Sequence, residues 1–315
     1  MTKISLLLKT FTTIAVVSSL SIIVSAQDTI KGVVNLGYHG WLFLSQERLT
    51  FDLKSVPDLV SKLAVFNKYF RKNNTKVIFT IIPTKYELYG KFESKHSSVS
   101  EEAYPEMMRQ FKQKGMTIVD ANDVLSQARD RGILVWMRRD THMSPQGGQL
   151  LGREIANHIL ANNYLNAKKD AKYSLSFKKQ QWPSDLWRLV YPQDQIFYPQ
   201  FEDIIVPEIT FVKNQSEILE DFAPEVILIG TSYSIKPSNA IAVGLEQGLK
   251  SEVLNLGKDS GEIWGSMDYY LREQESKLRS PKIIVWEIPE RVINDGAIAK
   301  YRNFPSILRV LEHQP

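Results

Sequence analysis

Residues Glu225-Val226-Ile227-Leu228-Ile229-Gly230-Thr231-Ser232-Tyr233-Ser234 join a continuously apolar run to a glycine and small hydroxyl residues at a tight exit. A short apolar run without polar alternation, bounded by turn residues, is the pattern of a strand covered on both faces, as in a parallel sheet between helices. Lys282 to Ile288 reads the same way, and Val253 to Leu256 is a shorter strand between the two. Upstream, Lys76 to Ile82 is a β-rich run closed by Pro83, and short strands are expected at Thr117 to Val119 and Ile133 to Trp136. Gly37 to Leu44 reads as a turn running into a strand.

Helices alternate with these runs. Leu59, Val60, Leu63, Phe66, Tyr69 and Phe70 recur at helical spacing after Pro57 and before the polar stop Lys72-Asn73-Asn74. Glu101 to Lys114 places Tyr104, Met107, Met108 and Phe111 on one face, with Gly115 at its end. A third helix opens with Ser144 as N-cap and Pro145 in the first turn, and Leu151, Ile155 and Ile159 form its buried stripe. Strands alternating with helices predict an α/β fold: an open, mostly parallel sheet flanked by helices.

The chain has 315 residues, 43% hydrophobic and 23% charged, which excludes disorder, collagen and coiled coil as global descriptions. We expect one domain over residues 27–315 with an insertion at about 164–222, where eleven aromatics interrupt the strand–helix rhythm. Met1 to Ala26 has the order of a signal peptide: basic Lys3 and Lys9, an apolar run from Ile14 to Val24, and small residues at Val24-Ser25-Ala26. The alternative is an uncleaved membrane anchor; either way the remainder faces the outside of the membrane, and we expect a periplasmic or secreted protein. Without Lys3 and Lys9 the formal charge of +4 falls to +2, too little to imply nucleic acid. The absence of cysteine excludes disulfides, Cys-ligated zinc and a thiol nucleophile.

In open α/β sheets ligands bind beyond the carboxyl ends of the strands, so the residues after each apolar run are the candidates for chemistry. Three segments make a coherent set: Gly230 to Ser234, Arg138-Arg139-Asp140-Thr141-His142, and Asn255-Leu256-Gly257-Lys258-Asp259-Ser260-Gly261. A serine hydroxyl needs a positioned base, and the base needs a partner that fixes its tautomer and stabilises its charged form. Ser232, His142 and Asp140 supply those roles, and the backbone amides of Ser232 and Gly261 are candidate donors to an oxyanion. His142 precedes the helix opening at Ser144, whose positive dipole end disfavours imidazolium. The competing readings are an ordinary turn at Ser232, a helix cap at Asp140, or a metal site with His39 or His96; metal-ligand spacing is otherwise absent, and we expect neither metal nor cofactor. His158 reads as structural.

The order Gly-Trp-Leu-Phe from Gly40, Asp140-Thr141-His142, Gly230-Thr231-Ser232-Tyr233-Ser234, Asn255-Leu256-Gly257 followed by Gly261, and Val285-Trp286-Glu287-Ile288-Pro289-Glu290-Arg291 resembles the alginate O-acetyltransferase family related to AlgX and AlgJ. The resemblance runs over roughly residues 37–291. It implies an SGNH-hydrolase-like domain in which the acid and histidine precede the serine. It also implies that Asp140, His142 and Ser232 are catalytic, that Gly261 helps hold the oxyanion, and that a membrane-bound O-acyltransferase supplies the acetyl group. Glu287 and Arg291 fall in its last motif. The family usually has Trp after the histidine, where this chain has Met143, and only 24 residues follow Arg291, too few for a separate carbohydrate-binding domain.

The expected activity is acetyl transfer to hydroxyls of an extracellular or periplasmic polysaccharide. The alternatives are a carbohydrate acetylesterase with the same triad, or a non-catalytic polysaccharide-binding or assembly protein. For the acceptor, Lys85 and Arg138-Arg139 are placed at strand exits where an anionic polymer would lie, with Tyr233 and Arg291 near the nucleophile. Trp182, Trp187, Tyr191 and Tyr198 offer faces for stacking sugar, or pack the insertion onto the sheet.

Overall fold

A computed structural model of the chain describes residues 33–48, 53–93, 103–166, 171–190, 201–212, 224–259, 262–275 and 280–312. The expected leader, 1–26, lies outside the described residues, as do Tyr191, Tyr198, His96 and Gly261. Among the described residues no helix is long and apolar enough to cross a membrane.

The chain enters through a small antiparallel pair, β1 (Val34–Leu36) and β2 (Leu42–Leu44). Helix α1 (Val56–Lys72) then leads to β3 (Lys76–Ile82), a short α2 (Lys85–Tyr89), α3 (Ala103–Gln113), β4 (Thr117–Val119) and α4 (Ala121–Asp130). After a loop comes α5 (Pro145–Ala161), followed by β5 (Tyr173–Pro183), α6 (Asp185–Val190) and β6 (Phe201–Phe211). The last third holds β7 (Val226–Ile229), α7 (Ser232–Ile235), α8 (Ala240–Leu249), β8 (Leu254–Asn255), β9 (Ile283–Pro289) and α9 (Pro305–Glu312), with shorter helical turns between them.

The main sheet has the order β4-β3-β9-β7-β8, and each neighbouring pair is parallel. Its central strands are buried on both faces, so side chains alternate between two cores. Ile78, Ile82, Val226, Leu228, Ile283 and Val285 meet α4, α5 and α8 on one side. Val77, Phe79, Ile81, Ile227, Ile229, Ile284 and Trp286 meet α1, α3 and α9 on the other. The architecture is the α/β sheet expected from the apolar runs. One expected strand is absent: Ile133 to Trp136 makes a single bridge, Trp136 to Met143, and joins no sheet. The chain doubles back here, with the Met137 amide donating to the His142 carbonyl and the Ser144 amide to Val135, so this segment props the first turn of α5.

In the aromatic-rich stretch, β5 and β6 form an antiparallel ribbon beside the main sheet. The β6 side chains Glu202, Ile204 and Val206 are buried, the last two against Met137, while Phe177, Phe201 and Ile205 on the opposite face are exposed. Trp187 belongs to a small core with Val34, Leu42, Leu186 and Val190, so it packs the segment down and offers no free stacking face.

Helices α5 and α8 approach closely along a seam of small residues. A Cβ on Gly152 would fall 2.1 Å from the Ile241 carbonyl oxygen, and one on Gly244 would fall 2.2 Å from that of Gln149. Gly148 faces Ala240 and Gly248 faces Ala156 in the same register. Because an atom added at Gly152 or Gly244 would meet backbone, neither helix can yield there without sliding. Gly152→Ala should destabilise the fold by about 1–3 kcal/mol through overpacking, while Asn157→Ala on the exposed face of α5 should change it by about 0.5 kcal/mol or less. Urea unfolding of the two variants checks this.

Candidate active site

The turn that carries Ser232 is built by β7 and the first residues after it. Thr231 caps α7, its hydroxyl accepting from the Tyr233 amide at 3.3 Å and its carbonyl from the Ser234 amide at 3.1 Å. That geometry puts Ser232 at the first helical position. Glu287 of β9 lies fully buried beneath it. Its carboxylate accepts the Thr231 amide at 2.7 Å, the Thr231 hydroxyl at 3.0 Å and the Ser234 hydroxyl at 2.9 Å. Burial pushes the Glu287 carboxyl up, against these donors, which favour the anion. Gly230 must be glycine, since a Cβ would lie 2.2 Å from the Ser234 hydroxyl and 2.3 Å from Glu287 Oε2. Asn255, from the Asn-Leu-Gly segment, donates to the Ser234 carbonyl at 2.7 Å and braces the turn from β8.

The base arrives from the loop before α5. His142 Nε2 accepts from Ser232 Oγ at 2.9 Å, and His142 Nδ1 donates to Asp140 Oδ1 at 2.6 Å. All three residues are buried, and the tautomer follows from which ring nitrogen meets the carboxylate. Ser144 caps α5 as expected, accepting from the Gly147 amide at 3.0 Å. The second oxygen of Asp140 is also engaged: Oδ2 accepts the Trp182 indole N–H at 3.0 Å and the Asp185 amide at 3.0 Å, and the His142 amide adds to Oδ1 at 3.0 Å. Burial alone would raise the Asp140 carboxyl. The His142 hydrogen bond and charge together with the two amides outweigh it and hold the carboxyl below the ordinary aspartate range.

The backbone of this loop is held from both sides. Glu202 of β6 accepts the Arg138 amide at 2.9 Å and the Arg139 amide at 2.6 Å. Lys85, at the start of α2, donates to the carbonyls of Leu42 at 2.8 Å, Asp140 at 2.6 Å and Arg138 at 3.3 Å. Lys85 is buried, and burial lowers its ammonium to about 8 despite the carboxylates of Glu47, Glu202, Asp140 and Asp185 around it. It therefore anchors the acid's loop and is not available to a polymer. Tyr233 is also buried: its hydroxyl donates to the Thr141 carbonyl at 2.8 Å and its ring packs 5.2 Å from that of His142. The Arg291 guanidinium lies 4.8 Å from the centre of the Tyr233 ring and pairs with buried Glu47 at 3.5 Å. Of the residues proposed for the acceptor, Arg138 keeps an exposed side chain and Arg291 a partly exposed one. Trp182 is half-buried and its indole N–H faces the acid.

The structure brings Asp140, His142 and Ser232 within hydrogen-bond distance in a line, and adds Asp185, Glu202 and Glu47, which carried no motif. Among the described residues Asp140, His142 and Asp185 are the grouping close enough to share a cation. Their facing atoms are already engaged, His142 Nδ1 with Asp140 Oδ1 and Asp185 Oδ2 with the Thr141 hydroxyl.

A family described as "SGNH hydrolase-like domain, acetyltransferase AlgX" matches residues 34–290. The chain belongs to this family. A relative named probable alginate O-acetylase AlgJ, from Pseudomonas fluorescens, is 27% identical over 276 residues, spanning 83% of this chain and 68% of its own. Among solved structures, the O-acetyltransferase domain of Pseudomonas putida AlgJ superposes with a TM-score of 0.75 at 23% identity, covering 90% of this chain and 99% of that one. Pseudomonas aeruginosa AlgX superposes at 0.67 with 17% identity, covering 89% and 67%. Membership establishes the SGNH-like fold and places the chain among acetyltransferases; the two superpositions speak for the fold alone.

Two outcomes follow from this geometry. Trp182→Phe keeps the ring against Met137, Ile204 and Val206 but removes the N–H to Asp140, and should slow the chemical step at Ser232 roughly tenfold, the kinetic equivalent of about 1.4 kcal/mol; pre-steady-state kinetics with an activated acetyl ester reads it. Glu290, which accepts the Thr84 amide at 2.9 Å, is raised to about 8 by burial and by neighbouring Glu87 and Glu47. Its folded value lies above the ordinary 4.5, so its stabilising contribution is complete below that value and is lost as pH climbs through about 8. Glu290→Gln stays neutral, and its melting temperature relative to the parent should be higher at pH 8.5 than at pH 5.

Proposed function

We propose that this protein is an exported O-acetyltransferase that carries acetyl on Ser232 and passes it to hydroxyls of an extracellular or periplasmic polysaccharide, an alginate-like polymer being the first choice. The observation that carries the reading is the buried line from Asp140 through His142 to Ser232, at 2.6 and 2.9 Å, in a chain of this family. The acceptor is suggested by relatives named alginate O-acetylase. Export is suggested by the order of basic, apolar and small residues in Met1 to Ala26.

In the first half-reaction Ser232 Oγ attacks the carbonyl carbon of the donor ester while His142 Nε2 takes its proton. Imidazolium forms against the Asp140 carboxylate, and negative charge gathers on the carbonyl oxygen. For that oxygen we assign the Ser232 amide, which has no acceptor among the described residues, together with the Gly261 amide. Collapse breaks the bond to the donor's alcohol oxygen, which leaves with the proton from His142. In the second half-reaction a sugar hydroxyl gives its proton to His142 and attacks the acetyl carbon, and Ser232 Oγ departs with that proton. Protons and charge balance through one nitrogen without a soluble cofactor. The donor we assign, from the family resemblance, is a membrane-bound O-acyltransferase acting across the membrane.

The test is intact mass after brief exposure to an activated acetyl ester, with and without an alginate oligosaccharide, beside Ser232→Ala. The expected result is one added acetyl that requires Ser232 and moves to the sugar. Acetate release indifferent to sugar would mean an acetylesterase, and no acyl-enzyme would remove the triad from the account and point to a polysaccharide-binding protein.

A further inference from the structure

We propose that Asp185 is a second acid of the catalytic base, an electrostatic positioning residue that supports the charged form of His142 beside Asp140. The inference rests on the triad reading above. Asp185 opens α6, in the segment between the two ribbon strands, and touches the acid–base loop through three groups. Its amide donates to Asp140 Oδ2, its Oδ1 accepts the Thr141 amide at 2.8 Å, and its Oδ2 accepts the Thr141 hydroxyl at 2.5 Å. Asp185 Oδ2 thereby comes to 3.8 Å from His142 Nδ1, the nitrogen that already donates to Asp140.

The charges around the imidazole make this placement consequential. On its own segment His142 faces Asp140; from α7 it faces Ser232 and the ring of Tyr233, whose phenol burial keeps neutral. Beside Tyr233 is the guanidinium of Arg291, paired with Glu47, and behind the Asp140 carbonyl is the ammonium of Lys85. Asp140 therefore meets two positive groups when His142 accepts the serine proton, Lys85 and the imidazolium, with Arg291 adding a third charge of the same sign nearby. Asp185 supplies a further negative charge where the positive charge develops. Its side chain is 41% exposed, so it is held by Thr141 and not by burial, and solvent screens part of its field. A carboxylate needed only as a clamp could be replaced by a neutral amide, since an amide oxygen also accepts the Thr141 amide.

That difference gives the test. Asp185→Asn keeps the shape and the acceptor for the Thr141 amide, places an N–H2 donor opposite the Thr141 hydroxyl, and removes the charge. Single-turnover acetylation of Ser232 by an activated acetyl ester, followed against pH, should show a plateau about tenfold lower. The acid limb should also move to lower pH by roughly half a unit to one unit, because losing a nearby anion disfavours imidazolium. Asp185→Glu should bring the limb back towards the parent position. A lower plateau with an unmoved limb would reduce Asp185 to a mechanical clamp and overturn the proposal, as would an unchanged profile. Ser232→Ala, run alongside, separates the two levels: if it still acquires the acetyl group the triad reading fails, whereas a Ser232-dependent reaction indifferent to Asp185→Asn overturns the second acid alone.

Discussion

The buried carboxylate of Asp140 accepts four hydrogen bonds, from His142 Nδ1, the His142 amide, the Trp182 indole and the Asp185 amide. An ion taken out of water is tolerated only when its oxygens are fully matched, and here the donors come from two separate parts of the chain. The loop that carries the acid has no strand of its own to hold it. Its order comes from polar groups: Lys85 against three carbonyls, Glu202 against two amides and Asp185 against Thr141. His142 and Asp140 are thus fixed by the ribbon beside the sheet as much as by the sheet.

The other half of the site depends on packing. Ser232 leaves a central strand, is seated by buried Glu287 and is followed by α8, while His142 precedes α5. The glycine and alanine seam brings those helices together at backbone contact. A dense interior transmits displacement with little compliance, so the spacing of Ser232 and His142 is coupled to a seam that begins at Gly148 and Ala240, near the starts of the two helices that follow them.

Much of this was legible in the sequence. The apolar runs at 76–82, 117–119, 226–229 and 283–288 become strands because nothing but burial on both faces suits them. Ile133 to Trp136 has the same composition but is used as a wedge under α5, a choice that local pattern does not carry. Ser232 could be read from its place at the exit of a strand, whereas Asp140 and His142 were singled out after a run, Ile133 to Trp136, that forms no strand. Asp185 and Glu202 could not be read, since a single carboxylate in an aromatic stretch has no local mark, and their partners in the loop of Asp140 lie 44 to 64 positions away. Lys85 and Tyr233 were expected to face substrate on the strength of position alone; burial turns both inward, and a hydrogen-bond partner within the protein takes the place of a ligand.

The division of Asp140's donors also bears on the order in which the molecule becomes competent. Two of the four donors arrive from the ribbon segment, between the stretch that supplies His142 and the stretch that supplies Ser232. A folding intermediate with its helices and parallel strands in place but the ribbon undocked would hold the serine beside an imidazole whose acid lacks half its cage. Half of the donors to this carboxylate thus depend on the docking of the ribbon, and Asp140 is fully matched only in the complete fold.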